Sequence, residues 1–198
     1  TIILFYLASF SKQNAIVLPL VLLLIEILFI RNQDGKPAKR YITFLCLSLL
    51  LMGLIVLFGG YLPKENDMIG REAYFATQLK VVFKYLQLLI FPISLNFDPY
   101  IGISEQLLAW KEFLALLGHL VILSTGVLAY KKEKLITFGI FWFYIGLLIE
   151  SSIIPIRDVY FEHRLYLPSY GIFIVLVTVI YRYLSSKRIS IQNTSLGL

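Results

Sequence analysis

The densest set of groups able to do chemistry lies in RDVYFEHRLYLPSYG (157–171), where Arg157, Asp158, Glu162, His163 and Arg164 stand among tyrosines at the mouth of an apolar run. Arginine offers planar bidentate donors, histidine titrates near neutrality, and aromatic rings stack on sugars or pack on lipid, so the cluster suits an anionic head group. The same residues also make an interfacial belt, in which Tyr and Arg anchor a helix end while acids pair with bases. Composition alone favours that second reading. A further polar run, Ser11-Lys12-Gln13-Asn14, separates two apolar segments and is followed by Pro19. Lys12 could bind phosphate as a point charge, although a lysine so placed more often caps a membrane turn.

Other polar residues lie inside apolar runs. Glu26 falls near the end of one, within reach of Arg31 and Lys36 by snorkelling. His119 in LLGHLVIL reads as a helix-to-helix hydrogen-bonding group and not a metal ligand, because no second His, Cys or carboxylate is spaced to complete a site with it. No metal is therefore expected. The single cysteine, Cys46, excludes a disulfide framework. The chain has no P-loop, G-x-G-x-x-G, G-x-S-x-G or HExxH, so nucleotide hydrolysis, serine hydrolysis and zincin chemistry lack their usual signatures.

The elements that must position these groups are membrane helices. With 59% hydrophobic and 15% charged residues, the 198-residue chain has more apolar surface than one soluble core of this size buries. Apolar runs near the roughly 20 residues needed to cross about 30 Å of hydrocarbon predict five complete spans, at about 14–30, 41–62, 113–130, 135–154 and 168–184. The opening TIILFYLASF is too short to cross and lacks signal-peptide features, so it reads as a truncated helix.

The positive-inside rule orients the set. Loops 31–40 and 131–134 and the tail from Arg182 onward hold ten of the 18 basic residues but only Asp34 and Glu133 of the twelve acids. These segments are expected to be cytoplasmic, and SKQN, the stretch from Pro63 to Glu112 and the loop 155–168 lie on the other side. The formal charge of +6 is explained by this clustering, and nucleic acid is not an expected partner. Residues 78–97 contain Lys80, Lys84 and Pro92, and a crossing there would move KKEK outside. They predict an amphipathic or re-entrant helix at the outer surface, with Lys80, Lys84 and Gln87 on its wetter face. The whole is an all-α integral membrane protein: one polytopic domain over 1–188, then a tail at 189–198 that could link to a following domain.

Three segments together resemble a known family: SKQNAIVLPL (11–20), TQLKVVFKYLQLLIFPISLNFDPY (77–100) and EHRLYLPSYG (162–171). They are similar to the transmembrane region of tetratricopeptide-repeat membrane proteins related to protein O-mannosyltransferases, within the C-type glycosyltransferase superfamily. The segments occur in the family's order and cover about a fifth of the chain, with EHRLYLPSYG the most specific. Ser11 and Lys12 match a family pair, Tyr85 and Pro92 match the surface-helix pattern, and Glu162, Leu165, Tyr166, Pro168 and Ser169 match the last motif. Gln13 departs from the Glu common in the first motif, and His163 from the Arg of eukaryotic relatives.

The resemblance implies sugar transfer from a polyprenyl-phosphate-linked donor to a protein or other hydroxyl at the non-cytoplasmic face of a bacterial inner membrane. No cofactor beyond that lipid-linked donor is implied. Lys12, Arg164 and His163 become candidates for donor phosphate, Glu162 for orienting Arg164, and Tyr85 and Tyr166 for the lipid-sugar entrance. The same resemblance places the catalytic carboxylates upstream of Thr1 and the repeats after Leu198. Two other classes stay open: a non-catalytic anchor for a tetratricopeptide-repeat domain, and a lipid or solute transporter, whose broken helices and midplane charges are not evident here.

Overall fold

The computed structural model describes residues 15, 17–30, 69–93, 101–104, 109–151 and 159–195, with isolated positions elsewhere and side chains as far as Lys187. Among the described residues every regular element is a helix. Helix α1 (Leu18–Ile25) runs into a π-helical turn, Glu26–Ile30, and α2 is Arg71–Ile90. Helices α3 (Trp110–Ala129) and α4 (Lys134–Leu147) are joined by a tight turn, and a 3-10 turn, Glu162–Leu165, leads into α5 (Tyr166–Ser195).

Two prolines mark helix limits that the apolar runs do not. Pro19 occupies the second position of α1, where a missing N–H costs nothing; the α-helix proper starts at Leu18, after 3-10 backbone at Ala15 and Val17. Pro92 disfavours helical backbone at Phe91, which is extended at φ −129° and ψ 89°. Helix α2 therefore stops at Ile90 and not at 97, while its start lies seven residues before the expected 78, behind Gly70 and with Glu72 favourably placed in the first turn.

Two helical stretches, Trp110–Ala129 of 20 residues and Glu162–Lys187 of 26, are long and apolar enough to cross a membrane. Only 22% and 28% of their apolar windows are buried inside the fold, which separates them from the mostly covered core helices of soluble proteins. Leu120, Val121, Leu128, Val177 and Ile180 are among the large apolar side chains they leave exposed. The spans expected at 14–30 and 135–154 appear as shorter apolar helices, Leu18–Ile30 and Lys134–Leu147. The expected span at 41–62 lies almost wholly outside the described residues, as do loop 31–40 and most of the first ten positions. Helix α5 continues past 188 to Ser195, within the residues expected to form a tail.

Helix α4 lies between its neighbours, packed on α5, α3 and α1. The α4–α5 contact is close because glycines face each other. A Cβ on Gly139 would overlap the Gly171 carbonyl oxygen, and one on Gly171 would overlap that of Gly139. Gly146 meets Pro168 in the same interface, and the Trp142 indole donates to the Leu167 carbonyl at 2.9 Å. Between α3 and α4 the Thr137 hydroxyl donates to the Gly126 carbonyl at 2.8 Å. Arg182 of α5 reaches Glu133, so the KKEK turn and the basic end of α5 share one end of the hairpin. The 162–165 turn sits at the opposite end.

Candidate functional site

At that opposite end, α2 is fastened to the chain between α4 and α5 by three side chains on one face. Tyr74 donates to the Glu150 carbonyl at 2.8 Å, Gln78 to the Val159 carbonyl at 2.8 Å, and Tyr85 to the Phe161 carbonyl at 2.9 Å. The Phe161 amide donates back to the Tyr85 hydroxyl at 3.2 Å. Spacings of four and seven residues bring the three to the same side of a helix of 3.6 residues per turn. Each is fully or almost fully buried, with Val81, Val82, Leu88, Phe143, Leu147 and Leu165 supplying the apolar core around them.

Arg164 enters this core from the 3-10 turn. It is buried, with its Nε 3.4 Å from the Glu150 carboxylate and its guanidinium carbon 5.9 Å from the centre of the Phe161 ring. Burial pushes the Tyr85 phenol up to about 12, against the pull of the Phe161 hydrogen bond and the Arg164 charge. Burial also raises the neighbouring Tyr160 phenol, with Glu162 adding to the effect. The rings of Tyr85 and Tyr160 lie 5.3 Å apart. The Tyr160 hydroxyl and the Gln78 side-chain oxygen have no hydrogen-bond partner among the described residues. The result is a buried polar cluster: one cation, one carboxylate, two neutral phenols and an amide.

The residues singled out in the sequence divide three ways. Tyr85 and Arg164 come together in the cluster. Glu162 is half-buried beside it, while His163 and Tyr166 are exposed, His163 stacked on Phe161 at 5.2 Å and Tyr166 edge-on to Tyr170 at 6.0 Å. Lys12 lies outside the described residues, with the rest of SKQN and with Arg157 and Asp158. Sequence reasoning missed Tyr74 and Gln78, whose partners are backbone carbonyls 76 and 81 residues away in the chain, and Glu150, whose carboxylate pairs with Arg164.

A second polar cluster joins α2 to α3. The buried Glu112 carboxylate accepts from the Ser104 hydroxyl at 2.7 Å and pairs with Lys80 at 3.0 Å, while the Ser104 amide donates to Thr77 at 2.8 Å. Higher on α3, His119 bridges two helices. Its Nε2–H donates to the Leu79 carbonyl at 2.9 Å, which leaves Nδ1 to accept from the Tyr144 hydroxyl at 2.8 Å. That pairing fixes a neutral tautomer with both ring nitrogens used. Glu26, expected to snorkel, is instead buried where the π-helical turn begins; residues 31–40, its expected partners, are outside the described set.

These features define a helical protein with two helices able to cross a membrane and a buried Arg–Glu–Tyr cluster at one end. No family model, curated protein or solved structure matches the chain.

Proposed function

We propose that the chain is part of a membrane glycosyltransferase that moves a sugar from a polyprenyl-phosphate donor to a hydroxyl acceptor, with the Arg164 cluster on the donor side. One observation carries this reading: Tyr85, in one segment bearing the family resemblance, bonds Phe161 at the edge of another, and that second segment's Arg164 is a buried cation beside the Glu150 carboxylate. In the reaction the acceptor oxygen bonds to the anomeric carbon as the bond from that carbon to the phosphate oxygen breaks. The electron pair leaves with the lipid phosphate, and the acceptor proton passes to a carboxylate. Arg164 stabilises charge on the departing phosphate, with the exposed His163 and, by the family resemblance, Lys12 as further candidates for phosphate contact. Glu150 orients Arg164 from within the fold, alongside the role assigned to Glu162. The carboxylate base belongs to the first outer loop implied by the resemblance.

A specific observation favours a second reading, that of a non-catalytic membrane anchor for a tetratricopeptide-repeat domain. Arg164 is only 9% exposed, and Tyr74, Gln78 and Tyr85 spend their donors on backbone carbonyls, as structural fasteners do. Sugar transfer by the purified native-length protein from a polyprenyl-phosphate sugar separates the two. Transfer that falls in Arg164→Ala while the variant stays folded supports the transferase, and a folded protein with no transfer from any such donor supports the anchor.

A further inference from the structure

Lys80, Lys84 and Gln87 lie about 130° around α2 from the Tyr74–Gln78–Tyr85 face, at about 100° per residue. They open onto a different feature. A groove of about 540 Å³ runs between α2 and α3, lined by these three residues and by Phe83, Lys111, Leu114 and Ala115. Lys80 is held by Glu112, but Lys84 and Lys111 make no ion pair among the described residues. Among the described residues the groove thus carries two cations without an ion-pair partner over an apolar floor.

We propose that this groove holds the phosphate head group of an anionic phospholipid, with Lys84 and Lys111 on the phosphate and an acyl chain on α3. Position argues for a lipid. Lys111 and the 72%-exposed Trp110 open the first turn of a helix long and apolar enough to cross a membrane, where Trp and Lys mark the head-group level. Below them Leu114, Leu117 and Val121 are exposed at spacings of three and four, a stripe leading away from the lysines along one side of α3. Phe83 wedges against Gly118, where a Cβ would overlap its ring, so the two helices are held close and the floor of the groove is fixed. Amphipathic helices with lysines on the polar face lie at such interfaces and are drawn to anionic lipid. The proposal rests on the membrane reading and not on sugar transfer.

The test uses the purified native-length protein with phosphatidylglycerol and phosphatidylcholine of identical chains, scored by native mass spectrometry for retained lipid. The wild type is expected to retain phosphatidylglycerol preferentially. Lys84→Gln with Lys111→Gln should reduce that preference by about 25-fold, about fivefold per lysine, while Lys84→Arg with Lys111→Arg and Lys187→Ala should keep it. An unchanged preference in the double glutamine variant overturns the site, and so does displacement of the lipid by an equal concentration of inorganic phosphate. Carbonate-resistant flotation with neutral phosphatidylcholine vesicles reports insertion separately. Protein that floats but shows no lipid preference overturns the lipid site alone, whereas protein that does not float overturns the membrane reading with it.

Discussion

The Tyr85 hydroxyl and the Phe161 backbone exchange two hydrogen bonds, the hydroxyl donating to the carbonyl at 2.9 Å and accepting from the amide at 3.2 Å. One side chain thereby satisfies both polar groups of a peptide residue just before the 3-10 turn that carries Arg164. The phenol acts as a clamp. It holds the start of the EHRL turn against α2, and Arg164 is positioned by what the clamp holds.

Replacing Tyr85 by Phe keeps the ring but leaves the Phe161 amide without its partner, while the Phe161 carbonyl keeps the Arg164 amide at 3.3 Å. A buried unsatisfied backbone group costs about 1–3 kcal/mol, so the variant should lose stability on that scale, read as a lowered thermal midpoint in detergent. A variant as stable as the wild type would show that the clamp is dispensable.

The same residue gives a pH signature. The folded phenol is held above its ordinary value of 10.0, at about 12, so the folded state keeps its proton after the unfolded chain has lost it. Stability from this group is fully present below pH 10 and is lost as pH rises from about 10 to about 12. The difference in stability between wild type and Tyr85→Phe should shrink across that window. Parallel curves would contradict the assignment.

Gly139 and Gly171 face one another with no room for a side chain. Alanine at either position has to push the α4 and α5 backbones apart, at about 1–3 kcal/mol by overpacking, and leucine should cost more. Gly70, with nothing near its α-carbon, serves as the control, since Gly70→Ala meets no steric conflict. Equal loss in Gly70→Ala and Gly171→Ala, measured by denaturation in mixed micelles, would argue against the glycine contact.

His119→Ala removes both bonds between α3 and its neighbours, leaving the Leu79 carbonyl and the Tyr144 hydroxyl without those partners. The Leu79 carbonyl keeps its bond within α2, so a loss of about 1–3 kcal/mol follows from the unmet Tyr144 hydroxyl, with the lost packing of the imidazole added to it. Tyr144→Phe removes only the donor to Nδ1 and should cost less. If the two variants lose equal stability, the two-sided bridge is not the source of the effect.

Much of this fold was legible as apolar runs, because a long helix that stays apolar on its exposed faces shows that character along its whole length. The span at 113–130 was placed within three residues of α3, and the run at 168–184 falls inside α5. Helix ends were less legible where prolines intervene: Pro19 marks the start of α1 and Pro92 cuts α2 short. The site was visible only in part. Arg164 and Tyr85 drew notice as polar residues in a motif, but Glu150 closes an apolar run with no motif around it. Gln78 looked like one more polar residue on a surface helix until its partner, the carbonyl of Val159, came from 81 residues away. Contacts to backbone carbonyls leave no mark on side-chain identity, so no spacing rule could have found them.

The central claim is sugar transfer dependent on the Arg164 cluster, and its most direct test is a labelled-sugar assay with the purified native-length protein and a polyprenyl-phosphate mannose donor. The account predicts transfer by the wild type and a fall of about 100-fold or more in Arg164→Ala, the scale of losing one charge-stabilising group, with the thermal transition still cooperative. A well-folded wild type that transfers no sugar from any polyprenyl-phosphate donor, or an Arg164→Ala variant that transfers as fast as the wild type, would contradict it.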